Sequence, residues 1–309
     1  MKIVLTNLSN ELYESSRLML NDSAKRSNIN NIISYDFEDL KGHHFYIKNK
    51  EILDQPKGIG YWLWKPYIIL EAFKNLAEGD IVIYSDCGIE IIDDLTPLVE
   101  IAKTQTPIVL FGNANHLNYM WTKRDCFVLM DCDSERYWYS SHVDAAFSLF
   151  RKSSLSTTFL NDWIHFGQNK FIITDLPNSQ GLDNIPGFQD HRWDQSILSL
   201  LAEKYQLPLF RMPTQFGNHY KIHQLRKKDE FNCPNQSEQQ QVSYYYHIPY
   251  YNSNYPQLLN HHRTKKIKND EVATVQQFTR LSASPKGILK KVVKGLLSKA
   301  GLKISRIKE

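Results

Sequence analysis

No stretch of this 309-residue chain stays apolar for the roughly 18 residues that a membrane-crossing helix needs, so none is expected to span a bilayer. Residues 1–7 read as a strand and are too short for the core of a signal peptide. Cysteine is scarce: the four are Cys87, Cys126, Cys132 and Cys233, and none sits in a Cys-x-x-Cys pair. That spacing argues against a zinc module and suits reduced thiols in a cytosolic protein. No glycine-rich phosphate loop lies near the N-terminus. Net charge is also small, at +4, but it is unevenly spread. From residue 281 onward eight Lys or Arg stand against one Glu, a net of +7, which leaves −3 for the rest. A mildly acidic body with one basic appendage argues against general nucleic-acid binding by the body.

What is present is an ordinary globular composition, 42% apolar and 23% charged, long enough for one large domain or two. The most informative stretch is residues 58–90. It reads as loop, helix, turn, strand and polar break. Pro66 falls in the first turn of the helix, where its missing N–H leaves no bond unmade. Tyr67, Leu70, Ala72, Phe73 and Leu76 recur at helical spacing. Gly79-Asp80 turns the chain. Ile81-Val82-Ile83-Tyr84 is the continuous apolar run of a strand buried on both faces. Ser85-Asp86-Cys87-Gly88 follows, placing a carboxylate at the carboxyl end of a buried strand, where open α/β sheets bind ligands.

The remaining pattern is consistent with such a sheet. Residues 2–7 and 31–35 read as strands around an amphipathic helix at 10–26, with Leu12, Ser16, Leu18, Leu20 and Ala24 on or near its apolar face. This β-α-β opening predicts a parallel sheet with crossover helices. Residues 36–55 are polar and loop-like, with a short apolar patch. A helix is expected from Asp93 to about Lys103, and a strand at 107–111 closed by Gly112-Asn113. Thr122 fits an N-cap with Asp125 in the first turn. Residues 142–152 read as a strand and 156–166 as a helix. A long loop at 174–190 leads to a helix starting near Asp194. A last core strand is expected at 207–211, a surface excursion at 221–241, a return to order at 244–249, and a short apolar helix turn before His261-His262-Arg263.

Three segments carry a resemblance. Gly-Tyr-Trp-Leu-Trp-Lys-Pro (60–66), Tyr-Ser-Asp-Cys-Gly (84–88) and His-Arg-Trp-Asp-Gln-Ser (191–196) are similar to motifs of bacterial capsule and O-antigen glycosyltransferases of the GT-A type. Trp-Thr-Lys-Arg-Asp (121–125) resembles a further segment of the same family. The likeness covers roughly residues 1–263. It implies an α/β, Rossmann-like, mostly parallel sheet flanked by helices that binds a nucleotide-sugar. It also implies a divalent cation, Mn²⁺ or Mg²⁺, bound to the diphosphate by an Asp-x-Asp motif. Here Asp86 matches the first Asp, whereas Gly88 stands in place of the second.

The resemblance assigns roles by position. Thr6, Asn7 and Arg17 would meet the nucleobase. Trp62, Lys65, Ser85 and Asp86 would line the donor site, with Lys65 able to meet phosphate directly. Lys123 and Arg124 are candidates for phosphate, Trp121 for stacking on a sugar ring, and Asp144, then His142, for the donor sugar's hydroxyls. His262 and Arg263 would reach back to the diphosphate, and His261 with Asp86 would be metal ligands. A sugar hydroxyl is a poor nucleophile, so a carboxylate must take its proton as the new bond forms. Asp194 is the first candidate and Asp190 the second. This favours inversion at the anomeric carbon, although in a retaining enzyme the same carboxylate would orient or stabilise the sugar.

Residues 286–300 place Ile288, Leu289, Val292, Val293, Leu296, Leu297 and Ala300 on one helical face, with lysines filling much of the other. Such a helix suits an anionic membrane surface. The expected organisation is a catalytic domain at 1–265, a linker at 266–285 and a membrane-associating helix at 286–309. The reading is a cytoplasmic, peripheral glycosyltransferase on the inner face of the cell membrane. It moves a hexose from a nucleotide-sugar, a UDP-sugar for preference, to a lipid-linked glycan. The rivals are a non-catalytic scaffold that keeps the fold and a sugar-phosphate or nucleotidyl transferase.

Overall fold

The computed structural model describes residues 1–217 and 252–262, the side chains of 114 and 115 excepted. All of them belong to the unit Met1–Thr264. The strands in chain order are β1 (Ile3–Ser9), β2 (Ile32–Asp36), β3 (Ile81–Ser85), β4 (Ile89–Ile91), β5 (Ile108–Leu117), β6 (Ser141–Arg151), β7 (Leu209–Arg211) and β8 (Leu259–His261). Six form one sheet in the order β2-β1-β3-β6-β5-β7, and β4 pairs with β8 in a small second one. In the large sheet only β6 runs against its neighbours. The fold is therefore α/β, with a mostly parallel central sheet flanked by helices.

β3 shows why the sheet takes the middle of the molecule. All five of its residues are buried, and their side chains alternate between the two faces. Ile81 and Ile83 join a core with Leu20 and Ala24 of helix Glu14–Arg26 and with Leu98, Ile101 and Ala102 of helix Thr96–Thr104. Val82 and Tyr84 face the other core, with Ile68 and Ile69, Phe159 and Trp163, and Ile197 and Leu201. Those pairs come from helices Trp64–Phe73, Ser154–Gly167 and Asp194–Lys204. Each fully buried Val or Ile here contributes roughly 1.5–3 kcal/mol. An apolar run with no polar alternation is what two covered faces require.

Several expectations are corrected. Leu18 is 55% exposed, and the buried face of its helix is Ser16, Leu20, Ser23 and Ala24. Tyr67 and Leu70 are only half-buried, because Ile68 and Ile69 turn inward instead. β5 continues past Phe111 to Leu117, with irregular register where it runs beyond Gly112. Residues 36–55 hold three short helices, Phe37–Leu40, His44–Lys48 and Lys50–Leu53. Lys123, not Thr122, stands at the N-cap of helix Arg124–Leu129. The apolar turn before His262 is strand β8. Among the described residues no helix is long and apolar enough to cross a membrane. The expectations for 221–241, 244–249, Arg263, the linker and the basic segment 286–300 fall outside the described residues.

The β4–β8 pair has a consequence for residue 88. Ile89 pairs with His261, and the His262 N–H donates to the Gly88 carbonyl at 2.7 Å. A Cβ on Gly88 would lie 2.7 Å from the His262 carbonyl oxygen, a backbone atom that cannot swing aside. Gly88→Ala is accordingly expected to lower stability by about 1–3 kcal/mol, read as a fall in melting temperature. An unchanged melting temperature would show that β8 yields freely.

Candidate active site

The chain enters the site through an unusual turn. Gly58, Ile59, Gly60, Tyr61 and Trp62 all have positive φ, between 52° and 86°, so one turn of the backbone is left-handed. L-residues resist this conformation at roughly 1–2 kcal/mol each. A Cβ on Gly58 would lie 2.2 Å from the Trp62 indole, so glycine is also required for the ring to fold back. The helix Trp64–Phe73 then begins, with Pro66 in its first turn. That geometry drives Lys65 inward, beneath the carboxyl end of β3.

There the Lys65 ammonium meets three oxygens. It lies 3.0 Å from Asp194 Oδ2, 3.3 Å from Asp86 Oδ1 and 3.1 Å from the Ala145 carbonyl. Asp86 follows β3, Ala145 is in β6 and Asp194 opens helix Asp194–Lys204. The Tyr84 hydroxyl also donates to Asp86 Oδ1. Burial acts to lower the Lys65 ammonium, but the Asp194 and Asp86 carboxylates outweigh it and hold the group above its ordinary value. Burial pushes the Asp194 carboxyl up to about 7, even against the pull of Lys65. Burial also holds the Tyr84 phenol well above its ordinary range, so it stays a donor. The Asp194 side chain is 5% exposed and that of Asp86 30%, so the cluster opens on the Asp86 side.

Three ionisable groups buried together are a poor way to gain stability, because desolvation cancels most of the attraction. Such a cluster at the carboxyl end of a sheet makes this a candidate functional site. An aromatic rim stands beside them. Trp62 and Trp193 stack at 5.3 Å and 26°. Trp193 also has a strained backbone (φ 51°, ψ −117°) and directly precedes Asp194. Lys57 lies 4.4 Å over its ring, and its indole N–H donates to Asp175 at 2.8 Å. Sequence reasoning missed Trp193, Tyr84 and the glycines 58 and 60. Gly-x-Gly before Trp-x-Trp was the available signal for a backbone turned the uncommon way.

The other candidates are placed differently. Asp144 is half-buried on β6, accepts from the Ala146 N–H at 2.6 Å, and is raised by its burial. Ser85 Oγ bonds the Asp86 carbonyl at 3.0 Å. Thr6 Oγ1 is bonded to the Ile33 carbonyl, Asn7 to Asn21, and Arg17 to Asp36 at 2.7 Å. These three lie around the carboxyl ends of β1 and β2, at the same edge as Asp86. Asp190 does not join the cluster; it is exposed and 3.6 Å from Arg192. His261 is in β8, His262 reaches Gly88 through its backbone, and Arg263 is outside the described residues.

Lys123, Asp125 and His191 stitch loop 174–190 to the fold. The Lys123 ammonium donates to the Thr174 and Leu176 carbonyls at 2.8 and 2.9 Å, and burial lowers it. Arg124 forks onto Asp133 and stacks on Trp138. Asp125 accepts from Ser179 and Gln180. His191 Nε2–H donates to the Ile172 carbonyl at 2.8 Å, while Nδ1 accepts from the Lys123 N–H at 3.3 Å. Burial takes His191 down to about 3, so the ring stays neutral.

A resident divalent cation on Asp86 and His261 does not fit these residues. Among the described residues no three His, Cys, Asp or Glu side chains converge to hold a metal ion. Asp86 already serves Lys65 and Tyr84, and the Gly88 corner is closed by the His262 carbonyl.

No family model matches the chain, and no curated protein matches it. Among solved structures it is similar to mouse xyloside xylosyltransferase 1 at 10% identity and a TM-score of 0.44, over 84% of this chain and 97% of that one. It is similar to the bifunctional glycosyltransferase WbbM at 10% identity and 0.45, over 85% of this chain and 46% of that one. It is also similar to the galactosyltransferase LgtC, solved with donor and acceptor sugar analogues, at 13% and 0.38, over 92% and 98%.

Removing Lys65 would strand the buried Asp194 carboxylate and unpair the half-buried Asp86. Lys65→Met is expected to cost about 3–5 kcal/mol in urea denaturation. Adding Asp194→Asn should recover part of that loss. Equal losses in the single and double variants would exclude charge coupling.

Proposed function

We propose that the chain is a GT-A type glycosyltransferase that moves a hexose from a nucleotide-sugar to a glycan acceptor. The observation that carries this reading is the Lys65–Asp86–Asp194 cluster at the carboxyl end of β3. A UDP-sugar is the preferred donor and a lipid-linked glycan of surface polysaccharide or O-antigen synthesis the preferred acceptor. The acceptor hydroxyl attacks the anomeric carbon, the bond to the diphosphate breaks, and the diphosphate leaves with the electron pair. The hydroxyl's proton must go to a base. Asp194, poised to change protonation near neutral pH, is that base in an inverting reaction. Lys65 holds Asp194 and Asp86 in fixed relation, and Asp86 presents the open side of the cluster to the donor. Inversion is favoured; under retention Asp194 would orient or stabilise the sugar instead. No step is routed through a metal. The run His261-His262-Arg263 is assigned to the departing diphosphate, and residues 286–300 to an anionic membrane at the inner face of the cell membrane.

A second reading, a non-catalytic scaffold, is favoured by the closed corner at Gly88. It predicts no donor binding, or binding without turnover.

A thermal-shift screen against UDP, GDP, CMP and dTDP sugars, each with and without manganese, followed by a turnover assay with the donor that binds, separates the two. A ligand that binds only the folded state raises the melting temperature. One nucleotide class is expected to do so, and silence from all four would sink the transferase reading. With the donor in hand, kcat/KM should rise with pH through about 7, because the base must be ionised. Asp194→Asn should lose about 10²–10⁴-fold in turnover. A flat profile together with an active Asp194→Asn variant would remove Asp194 from the base role.

A further inference from the structure

On the helical flank of the core lies an open groove of about 550 Å³, within the roughly 300–1,000 Å³ of small-molecule sites. One wall is formed by helices His44–Lys48 and Lys50–Leu53, with Asn49 between them. The other is the end of helix Ser154–Gly167 and the start of helix Lys170–Ile173. The groove shares no residue with the Lys65–Asp86–Asp194 cluster or with the Trp62–Trp193 rim.

Its polar groups are held in place but not used up. Asn49 is 5% exposed. Its amide nitrogen donates to the Phe45 carbonyl at 2.8 Å, which fixes the amide, and its oxygen takes no bond among the described residues. Asn169 is fixed the other way round. Its oxygen accepts from the Phe171 N–H at 3.0 Å, which leaves the amide nitrogen over as a donor. Neither of these two spare atoms is closed off from solvent. Among the described residues the side chains of Gln168 and Lys48 make no hydrogen bond or ion pair. Glu51 and Lys170 join the two walls at 2.7 Å, with side chains 72% and 41% exposed. So exposed a pair is weak and parts readily. It also leaves the Lys48 ammonium as the unmatched charge of the groove. Ile52 and Phe171 add apolar surface.

We propose that this groove binds a sugar ring carrying a negative charge, at a second site where no reaction takes place and independently of the transferase reading. The chemistry selects the ligand class. A fixed acceptor on Asn49, a fixed donor on Asn169 and the two-way amide of Gln168 match neighbouring hydroxyls, each of which donates and accepts. Sulfate offers only acceptors and would leave the Asn49 oxygen unserved. An apolar ligand would leave all three amides unserved. The walls are helices whose backbone bonds are spent internally, so they offer no edge to an extended peptide. The Lys48 ammonium selects an anionic substituent on the sugar, a carboxylate or a phosphate.

The test uses methyl glucuronide, glucose 6-phosphate and methyl glucoside as probes in saturation-transfer NMR on the full chain, with sulfate as competitor. At least one anionic sugar is expected to bind, and which of the two does so tells carboxylate from phosphate. The neutral glucoside should bind about tenfold more weakly. Lys48→Gln should bring the anionic sugar down to the level of the glucoside. Gln168→Ala should weaken every sugar that binds, by roughly threefold. Melting temperatures of both variants should hold, because neither side chain bonds the fold. The proposal is overturned by no binding of either anionic sugar, by equal binding of the glucoside, or by displacement with sulfate at equal concentration. Unchanged binding in either variant would also sink it, by placing the sugar elsewhere. The nucleotide-sugar melting shift reports on the ion cluster, so the two sites are scored separately and each can fail alone.

Discussion

One buried ammonium fixes the geometry of the whole site. Lys65 is held among the Asp194 and Asp86 carboxylates and the Ala145 carbonyl, and it joins a helix start, a strand end and a second helix start. Each of these elements is anchored in the core independently, so the charges cannot drift apart to regain water. The result is an unequal pair of carboxylates. Burial lifts Asp194 to about 7, while Asp86 keeps contact with solvent. Two like groups are thus given different environments by their surroundings.

The backbone around this cluster carries strain that packing must offset. Five successive left-handed residues and the twisted Trp193 bring two indoles face to face beside the ion cluster. Neither conformation is favourable alone, and each costs on the order of 1–3 kcal/mol per residue. They persist because Trp64, Ile68 and Ile69 beyond the turn are buried in the core. The long loop 174–190 is fixed by different means. It has no regular structure; Lys123 and Asp125 bond its backbone, and its own Asn184 side chain accepts from the Arg124 N–H. Buried polar groups here serve as fasteners for the fold.

At Gly88 a single backbone contact closes the corner that follows β3. The β4–β8 pairing brings the backbone of His262 against Gly88. The same pairing delivers His261 and His262 to that edge.

Much of the frame was legible in the chain. The apolar run of β3, the proline-led helix before it and the helix opening at Asp194 are local patterns, set by burial on two faces and by backbone chemistry within a few residues. Asp86 and Asp194 could be singled out for that reason. Their shared partner Lys65 could not be fixed as such, since its charge might equally have faced a phosphate. Lys123 and Arg124 looked like phosphate ligands and instead bond loop carbonyls and Asp133. Asp194 and, second to it, Asp190 were both candidates for the base, yet Asp190 is exposed and Asp194 buried. Sequence by itself determined the α/β frame, its central strand and the helices that pack on it, because those follow from periodicity. Only the tertiary structure decided which charges meet and which carboxyl is lifted. Both depend on through-space distance and on the loss of water around each group, and neither quantity is written in the order of residues.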